Sequence, residues 1–196
     1  MNPLFLGGHP AIDFLNTSLT PDGVPTETIP DGRAYLEWFV GAGLLEAPEA
    51  AKVARRFGVK ALDTAAAEAR KVREWARAWI DRWRERPAAD YSAEIAILNK
   101  LLAREARSQQ VVTGEQGLTI VERPQLEHAT GLISLVATQL AALLTKEDAS
   151  LVRACSGSGC SLWFVDRTKS HRRLFCSAAV CGNRAKVAAF RSRQRE

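Results

Sequence analysis

Apolar residues along the first 148 positions recur mostly three and four residues apart, the spacing that places side chains on one face of a helix. On this pattern, helices are predicted over 11–19, 34–45, 47–58, 59–86, 92–107 and 124–144. Asp31 is placed to cap the second of them. The last begins at Pro124, includes His128 among its apolar residues, and is apolar nearly all round, which is typical of a buried central helix. We therefore expect a mainly helical body, residues 1–148.

Two stretches of the body depart from helical spacing. Residues 20–32 are rich in Pro, Gly and Asp, so a loop is predicted there. Residues 111–122 carry β-branched side chains on both sides of a glycine-bounded turn, which predicts a hairpin. Three tryptophans, Trp75, Trp79 and Trp83, form a stripe at four-residue spacing. Such a stripe could be a binding face, but stripes on amphipathic helices usually face the core.

The pattern changes after residues 145–150, which we take as a domain boundary. Residues 162–166 and 171–176 are predicted to pair as strands, and a helix is predicted over 177–193. Val187 and Phe190 share one side of that helix and are expected to pack onto the hairpin or the body. The predicted fold class is α+β, with a mainly helical domain over 1–148 and a small C-terminal module over 149–196.

Charge is distributed unevenly between these two parts. From Leu151 to the end the chain has ten Arg or Lys residues and two acidic ones, a net charge of +8, while the preceding residues sum to −3. A basic tail on an acidic body is typical of a protein that binds a polyanion such as a nucleic acid, because neutralising its phosphates releases counterions. A merely solvated basic surface would give the same count, so charge alone leaves both interpretations open.

Composition favours a soluble globular protein, since 46% of residues are hydrophobic, 25% are charged and the mean hydropathy is −0.14. No run is apolar over the roughly 18 residues needed to cross a bilayer. The first residues lack a basic start and soon reach Pro10 and Asp13, unlike a signal peptide. A cytoplasmic location is expected.

Four cysteines lie in the basic tail, as two CxxxxC pairs separated by fifteen residues: Cys155, Cys160, Cys176 and Cys181. Two close pairs that fold back on each other supply the four ligands of a tetrahedral Zn(II) site, and four thiolates leave no open position for catalysis. Paired disulfides would suit an exported protein, and four unconnected buried thiols would not explain the clustering. A redox switch on the same thiolates is a lesser variant. One structural Zn(II) ion is predicted.

Local sequence around the cysteines predicts a treble-clef-like arrangement. The glycine-rich segment 155–160 can wrap around an ion as a knuckle, a hairpin follows, and the first turn of the last helix carries Cys181. So small a module has little core of its own, and metal binding would supply much of its folding free energy, roughly 10–16 kcal/mol in finger peptides.

Basic residues follow the last cysteine along the predicted helix. Arg184, Arg191 and Arg195 fall in one sector of the helical wheel, with Lys186 and Arg193 opposite. The predicted nucleic-acid-binding residues are Arg172, Arg173, Asn183, Arg184, Lys186, Arg191 and Arg193. Bound zinc would hold these side chains in fixed relation to one another, in the way that a small zinc finger presents its helix to DNA. Alternatively, the arginines near the end of the helix complement the helix dipole, and Asn183 donates a hydrogen bond to a sulfur ligand of the metal.

Three polar residues of the body, His9, Asp13 and Asn16, are spaced to share one helical face beside an apolar row. They could line a pocket for a small-molecule effector. They could equally cap helices and bridge loops, which is the commoner use of buried polar groups. His128, on the predicted central helix, is expected to be a satisfied core histidine.

The chain resembles a known family at both ends. The run "CGNR" over Cys181–Arg184, with CxxxxC upstream, is similar to the CGNR zinc finger of bacterial transcription regulators, and "IDFLNT" over Ile12–Thr17 is similar to the hallmark of the ABATE domain that precedes it. Phe175 and Ala178 stand where the family usually has Trp and Met. The resemblance implies zinc on the four cysteines and a DNA-binding, stress-related regulatory role.

The sequence therefore favours a zinc-dependent DNA-binding regulator with a sensing body. A zinc-stapled module for RNA or protein contacts is the alternative. An enzyme built on His171 or on the face of His9 is not expected, because the spacing assembles no nucleophile with a base. DNA operators are often read by dimers, so a homodimer stays open, although no dimerisation heptad is visible.

Overall fold

The computed structural model describes residues 3–20, 23–104, 106–114 and 117–194, and its architecture is α+β, as predicted. That part of the chain contains six α-helices and three separate two-stranded antiparallel sheets. The helices are α1 Pro10–Leu15, α2 Gly32–Gly41, α3 Ala47–Glu85, α4 Ser92–Leu102, α5 Ile133–Lys146 and α6 Asn183–Arg193. The strands are β1 Ser18–Leu19, β2 Thr26–Glu27, β3 Ala106–Gly114, β4 Gly117–Gln125, β5 Val152–Ala154 and β6 Trp163–Val165.

The first helix is shorter than its apolar spacing predicts. Helix α1 ends at Leu15, because the Thr17 hydroxyl donates a hydrogen bond to the carbonyl of Phe14 and the chain then turns into β1. Leu19 therefore lies in a strand, paired with Thr26 of β2. The predicted loop over 20–32 contains that short strand, and residues 21–22 lie outside the described part of the chain.

Helices α2 and α3 form a closely packed pair. The Asp31 carboxylate accepts a hydrogen bond from the N–H of Ala34, which confirms the predicted cap. At Gly32 a Cβ atom would stand 2.3 Å from the Cβ of Leu62, so the two helices touch through glycine at this point. The two helices predicted over 47–86 are observed as one run broken at Gly58, whose φ of 71° and ψ of 172° interrupt the helix.

The hairpin β3–β4 is longer than predicted, and it displaces the predicted ends of two helices. Helix α4 ends at Leu102, not at Arg107, because Arg107 pairs with Pro124 across the hairpin. Pro124 thus lies in an edge strand, where the missing N–H is tolerated, and does not begin a helix. His128 is exposed before a 3-10 turn, so the predicted core role is wrong. Residues 115–116 of the predicted turn lie outside the described residues.

The core of the body centres on α5, as predicted. Val136, Leu140 and Leu143 are inaccessible to solvent there. The expectation that no segment is apolar over about 18 residues needs correction: Ala129–Lys146 is long and apolar enough, with a mean hydropathy of 1.3. Since 56% of that segment is buried inside the fold, it behaves as a core helix. Trp79 and Trp83 are also buried, which confirms the core role of the tryptophan stripe.

The C-terminal module departs from prediction in its strands and in its last helix. Strand β6 pairs with β5 on one edge, and Asn16 and the carbonyl of Gly7 occupy its other edge, so residues 171–176 form no strand with it. The backbone N–H of Arg173 in that segment donates to the side chain of Asp166 instead. Val187 and Phe190 do not pack onto the body or the hairpin; they are 42% and 55% exposed. Helix α6 buries no residue between Asn183 and Arg193, so its attachment lies at its N-terminal end.

Candidate metal centre and nucleic-acid interface

The four cysteines converge on one point. Their sulfur atoms all lie within 4.8 Å of one another, with 3.8 Å between the Sγ atoms of Cys160 and Cys176 and 3.6 Å between those of Cys176 and Cys181. Four sulfurs at about 2.3 Å from a tetrahedral Zn(II) ion stand about 3.8 Å apart. None of the four cysteines, all of which are described, forms a disulfide. The donor set and its spacing fit one zinc ion.

The knuckle between β5 and β6 supplies the first two ligands. The N–H of Gly157 donates to the Sγ of Cys155 at 3.4 Å, and the N–H of Cys160 donates to the carbonyl of Gly157 at 3.0 Å. Gly159 turns the chain at a φ of 71°, where a side chain would be strained. A Cβ on Gly157 would lie 3.1 Å from the Cys181 sulfur, so the knuckle needs glycine there for close approach.

The second pair of ligands comes from the segment that leads into α6. The N–H of Cys176 donates to the Sγ of Cys155 at 3.3 Å, which links the two halves of the site directly. Ser177 caps the π-helical turn Ala178–Gly182 through its hydroxyl, which accepts from the N–H of Val180. Cys181 lies in this turn, immediately before α6, so the metal would fix the start of the basic helix.

The thiols differ in their electrostatic surroundings. Burial opposes ionisation of Cys155, but hydrogen bonds from the N–H groups of Cys176 and Gly157 outweigh it, so the pKa of Cys155 lies below its usual value. Burial raises the pKa of Cys160 to about 11 and that of Cys176 still further, and neighbouring thiols add to both shifts. A divalent cation is the group that would hold all four as thiolates, and they leave it no open coordination position.

A small apolar cluster surrounds the sulfurs and includes residues from both ends of the chain. Phe164 and Leu162 of the C-terminal module pack with Leu19 of the body, and Leu4 and Leu6 cover the cluster. Cys155, Cys176 and Cys181 are buried, and Cys160 is half-buried. The metal centre is therefore shielded by the N-terminal segment as well as by its own module.

Asp166 organises the loop that brings the second cysteine pair back. One carboxylate oxygen accepts from the N–H and the hydroxyl of Thr168 at 3.0 and 2.7 Å, and the other accepts from the N–H of Arg173 at 2.8 Å. Burial opposes its ionisation, but these hydrogen bonds and the nearby Arg153 hold the pKa of Asp166 at about 2. A buried carboxylate with this many donors fixes the position of the loop.

Asn16 joins the body to the C-terminal module. Its Nδ2 donates to the carbonyl of Trp163, and its Oδ1 accepts from the N–H of Trp163, each at 2.9 Å. The Asn16 side chain thus makes the pair of hydrogen bonds to β6 that a neighbouring strand would make, and it is only 1% exposed. Arg77 adds a second link, because its Nη2 donates to the carbonyl of Ser161 and its guanidinium lies 4.7 Å from the Trp163 ring centroid.

His9 and Asp13 also make structural contacts. The Nδ1 of His9 accepts from the N–H of Ala11 at the start of α1, and burial lowers the pKa of His9. The Oδ1 of Asp13 accepts from the N–H of Gly7 at 2.7 Å. Of the two uses predicted for His9, Asp13 and Asn16, these contacts match capping and bridging. An effector role for the trio stays a prediction. None of the three lines the cavity between α2 and α3.

Asp13 predicts a measurable pH dependence. Burial raises its pKa from 3.8 to about 6, against the opposing effect of the N–H groups of Gly7 and Leu6. The folded chain then binds this proton more tightly than the unfolded chain. The stability that the protonated Asp13 carboxyl contributes is therefore full below about pH 4 and is lost as the pH rises through about 6. Asp13→Asn cannot ionise, and we expect its stability relative to the wild type to rise over this window.

The measurement is the free energy of urea unfolding from about pH 5 to about pH 7.5, taken as the difference between the variant and the wild type so that effects on the thiols cancel. Replacing the carboxyl group by an amide adds an offset to the difference that does not vary with pH. Glu85→Gln, at an exposed position, is the control and should give a flat difference. A flat difference for Asp13→Asn as well would contradict a raised pKa.

The structure places the predicted nucleic-acid residues in two environments. Arg172, Asn183, Arg184, Lys186, Arg191 and Arg193 have exposed side chains on α6 or on the loop before it. Arg173 differs, because its guanidinium donates to the carbonyls of Phe175 and Cys176 and lies 4.2 Å from the Phe164 ring centroid. Its contacts are those of a residue that holds the metal-binding loop together.

Sequence reasoning missed Asp166 and Arg77 as site residues. Asp166 had a visible signal, because it is one of two acidic residues in a tail with ten basic ones. Arg77 had no comparable signal, since it stands among several arginines on the same helix and its partner Ser161 is 84 positions away. A long-range contact to a main-chain carbonyl leaves no trace in local spacing.

Comparison with known families matches both parts of the chain. Residues 8–147 match ABATE, described as "Putative stress-induced transcription regulator", and residues 152–194 match the CGNR zinc finger. Neither description is that of an enzyme. No curated protein matches the chain. With four sulfurs at ligand distance in the matched zinc finger, the C-terminal module holds one structural zinc ion. The chain belongs to the ABATE family and carries a CGNR zinc finger at its C-terminal end.

Proposed function

We propose that the chain is a cytoplasmic, zinc-dependent DNA-binding regulator of transcription. Its C-terminal module contacts duplex DNA through α6 and the adjoining loop, and its body senses a small effector. The observation that carries the proposal is the position of α6: it begins beside the zinc ligand Cys181, buries no residue from Asn183 to Arg193, and bears exposed Arg and Lys side chains.

Charge and geometry support contact with a polyanion. Arg184, Lys186, Arg191 and Arg193 are exposed along three turns of α6, and the helix has no acidic residue between Asn183 and Arg193. Arg172 is exposed on the preceding loop. Because the metal fixes the N-terminal end of α6, these charges would meet the phosphates with little loss of backbone entropy. Arg173 is left out of the interface because its guanidinium serves the loop.

Contacts between the two parts provide a route for regulation. Val165 of β6 donates its N–H to the carbonyl of Gly7, and Asn16 holds Trp163 of the same strand. Arg77 holds Ser161, two residues before β6 begins. Trp163 and Val165 belong to the core of the body. A change in the packing of α1 or α3 would thus be transmitted to β6, which leads directly from the knuckle. The body would in this way influence the position of the basic helix.

We expect the double variant Arg191→Ala/Arg193→Ala to bind duplex DNA more weakly, with a slope of log K against log salt that is smaller by about 2, since each lost phosphate contact removes about 0.9. Fluorescence anisotropy of a labelled duplex, measured from about 50 to 300 mM salt, gives this slope. The matched control, Lys52→Ala/Arg55→Ala, removes two exposed charges from the body and should keep the wild-type slope.

Two results would contradict DNA binding by α6. One is an affinity of the wild type that does not fall with salt, and the other is an equal slope for the α6 double variant and its control. Cys181→Ser should abolish the salt-dependent affinity, because it removes the ligand that precedes α6. Retained affinity in that variant would show that the metal is not needed for binding.

A second candidate function rests on the apolar side chains of the same surface. Phe190 is 55% exposed, Val180 is 53% exposed and Val187 is 42% exposed, which is unusual for a helix that touches phosphates alone. A protein or RNA partner could bury them. Competition of duplex DNA with single-stranded RNA for the labelled chain separates the two, and Phe190→Ala should weaken a protein or RNA complex more than a DNA complex.

A further inference from the structure

A cavity of about 760 Å³ lies between α2 and the first part of α3. Its floor is apolar and includes Leu36, Val40 and Leu62. Alanines line the facing wall, at Ala47, Ala50, Ala51 and Ala54. Volumes of roughly 300–1,000 Å³ with mainly apolar lining are typical of small-molecule sites.

The shape of the cavity follows from two glycines. Gly32 brings α2 against Leu62, so the two helices are in contact at one end of the cavity. Gly58 breaks α3 at the edge of the cavity, and the helical segment before it carries the small alanine side chains that leave the space open. The cavity is thus a wedge that is closed at Leu62 by close packing and bounded elsewhere by helix walls.

The charged residues of the lining are mostly acidic. Asp31, Glu37 and Asp63 contribute three carboxylates, against the single guanidinium of Arg33. Arg33 is ion-paired with Glu37 at 2.8 Å, so these two charges compensate each other and the net charge comes from Asp31 and Asp63. Asp31 and Asp63 each accept a backbone N–H, from Ala34 and Gly32, which fixes their carboxylates at the closed end. The net charge of the lining is −2, beside a large apolar surface.

We propose that this cavity binds an organic cation with a hydrophobic body, such as a lipophilic amine or quaternary ammonium compound. The apolar part would occupy the wedge between Leu36, Ala50 and Leu62. The cationic group would face Asp31 and Asp63. An anionic ligand would meet the same apolar area beside carboxylates of its own sign, and a neutral ligand would gain nothing from them, which favours the cation.

This inference deepens the effector part of the proposed function and rests on it for its regulatory meaning. Helix α3 connects the cavity to the C-terminal module, because Leu62 and Asp63 line the cavity and Arg77 of the same helix holds Ser161. A ligand that changes the angle between α2 and α3 would act on the helix that touches the knuckle. Binding itself needs no DNA and is tested without it.

The test is isothermal titration of the zinc-loaded full chain with decyltrimethylammonium below its micellar concentration. We expect one saturable site, and at least about tenfold weaker binding of tetramethylammonium, which lacks the apolar chain, and of decyl sulfate, which has the opposite charge. Ala54→Leu fills the cavity and should lower the affinity for decyltrimethylammonium at least about tenfold. The control Ala93→Leu, at an exposed position of α4, should not change it.

A charge variant separates attraction from apolar contact. Asp31→Asn lowers the negative charge of the lining and keeps a side-chain oxygen that can cap α2. We expect it to weaken binding of the cation several-fold while leaving decyl sulfate unchanged or tighter. Glu85→Gln, at an exposed position outside the cavity, is its control. The proposal is overturned if no saturable site is found, if decyl sulfate binds as tightly as the cation, or if Ala54→Leu and Ala93→Leu behave alike. It is also overturned if light scattering shows a dimer that Ala54→Leu dissociates, since a second copy would then occupy the cavity.

Discussion

Cys176→Ser should lose its zinc and unfold the C-terminal module. Cys176 is 2% exposed, its sulfur lies within 3.8 Å of those of Cys160 and Cys181, and its N–H donates to the sulfur of Cys155. A hydroxyl is a poor ligand for zinc, and the free energy of metal binding in such modules is folding free energy, roughly 10–16 kcal/mol in finger peptides. Loss of even part of it is large beside a typical total stability of about 5–15 kcal/mol.

The effect should extend beyond the metal-binding loops. Phe164 and Leu162 pack with the cysteines and with Leu19 of the body, so an unfolded module exposes apolar surface on both sides. We expect the zinc content of the purified variant to fall from one ion per chain to nearly none, and limited proteolysis to cut within residues 152–194. The matched control is Ser158→Ala, which removes a hydroxyl from an exposed position of the same knuckle and should keep both zinc and protease resistance. A variant that retains a full zinc ion would contradict the four-cysteine site.

Asn16→Ala is expected to destabilise the whole chain by about 2–5 kcal/mol. It removes both partners of the Trp163 main chain, whose N–H and carbonyl would then be buried without hydrogen bonds, and each such group costs about 1–3 kcal/mol. The position is 1% exposed, so water cannot readily replace the amide. Urea unfolding of the zinc-loaded protein measures the difference.

One further variant and one control test this prediction more closely. Asn16→Asp keeps an acceptor for the Trp163 N–H but places a carboxylate against the Trp163 carbonyl, so it should be no more stable than Asn16→Ala. Asn99→Ala, at an exposed position of α4, is the control and should change stability by less than about 0.5 kcal/mol. If Asn16→Ala were as stable as Asn99→Ala, the amide would not be joining the body to the C-terminal module.

Features set by local chemistry could be predicted from the sequence. The paired cysteine spacing predicted the cluster of sulfurs, because close pairs on short loops restrict where the thiols can lie. Asp31 was identified as a cap from its place before an apolar run, and it caps α2. The apolar pattern of α5 predicted a buried helix for the same reason: burial depends on the side chains of the helix itself.

Features that depend on residues far apart in the chain could not be predicted from the sequence. Strand β6 pairs with β5 on one edge and with Asn16 and the carbonyl of Gly7 on the other, and these partners lie far from β6 in the sequence or in another predicted element. Pro124 looks like a helix start, but pairing along the hairpin overrides that local preference. Val187 and Phe190 have the spacing of a packed face, yet nothing in the spacing shows that the helix begins at the metal site and buries none of its residues.

The family hallmark around Asn16 illustrates the same limit. Its spacing from His9 and Asp13 suggested a shared helical face, but His9 precedes α1 and Asn16 follows it, and each contacts main-chain groups. The cavity of the body likewise depends on Gly32 and Gly58, which set the approach of two helices. Tertiary contacts decide such sites, and they are not encoded in any short window.

The central claim is that one zinc ion is held by four thiolates at the base of α6. X-ray absorption at the zinc edge of freshly purified, reduced protein, combined with elemental analysis, measures it most directly. We expect one zinc per chain with four sulfur neighbours at about 2.3 Å. Absence of zinc, a shell containing nitrogen or oxygen in place of sulfur, or cystine bridges between the cysteines would contradict it.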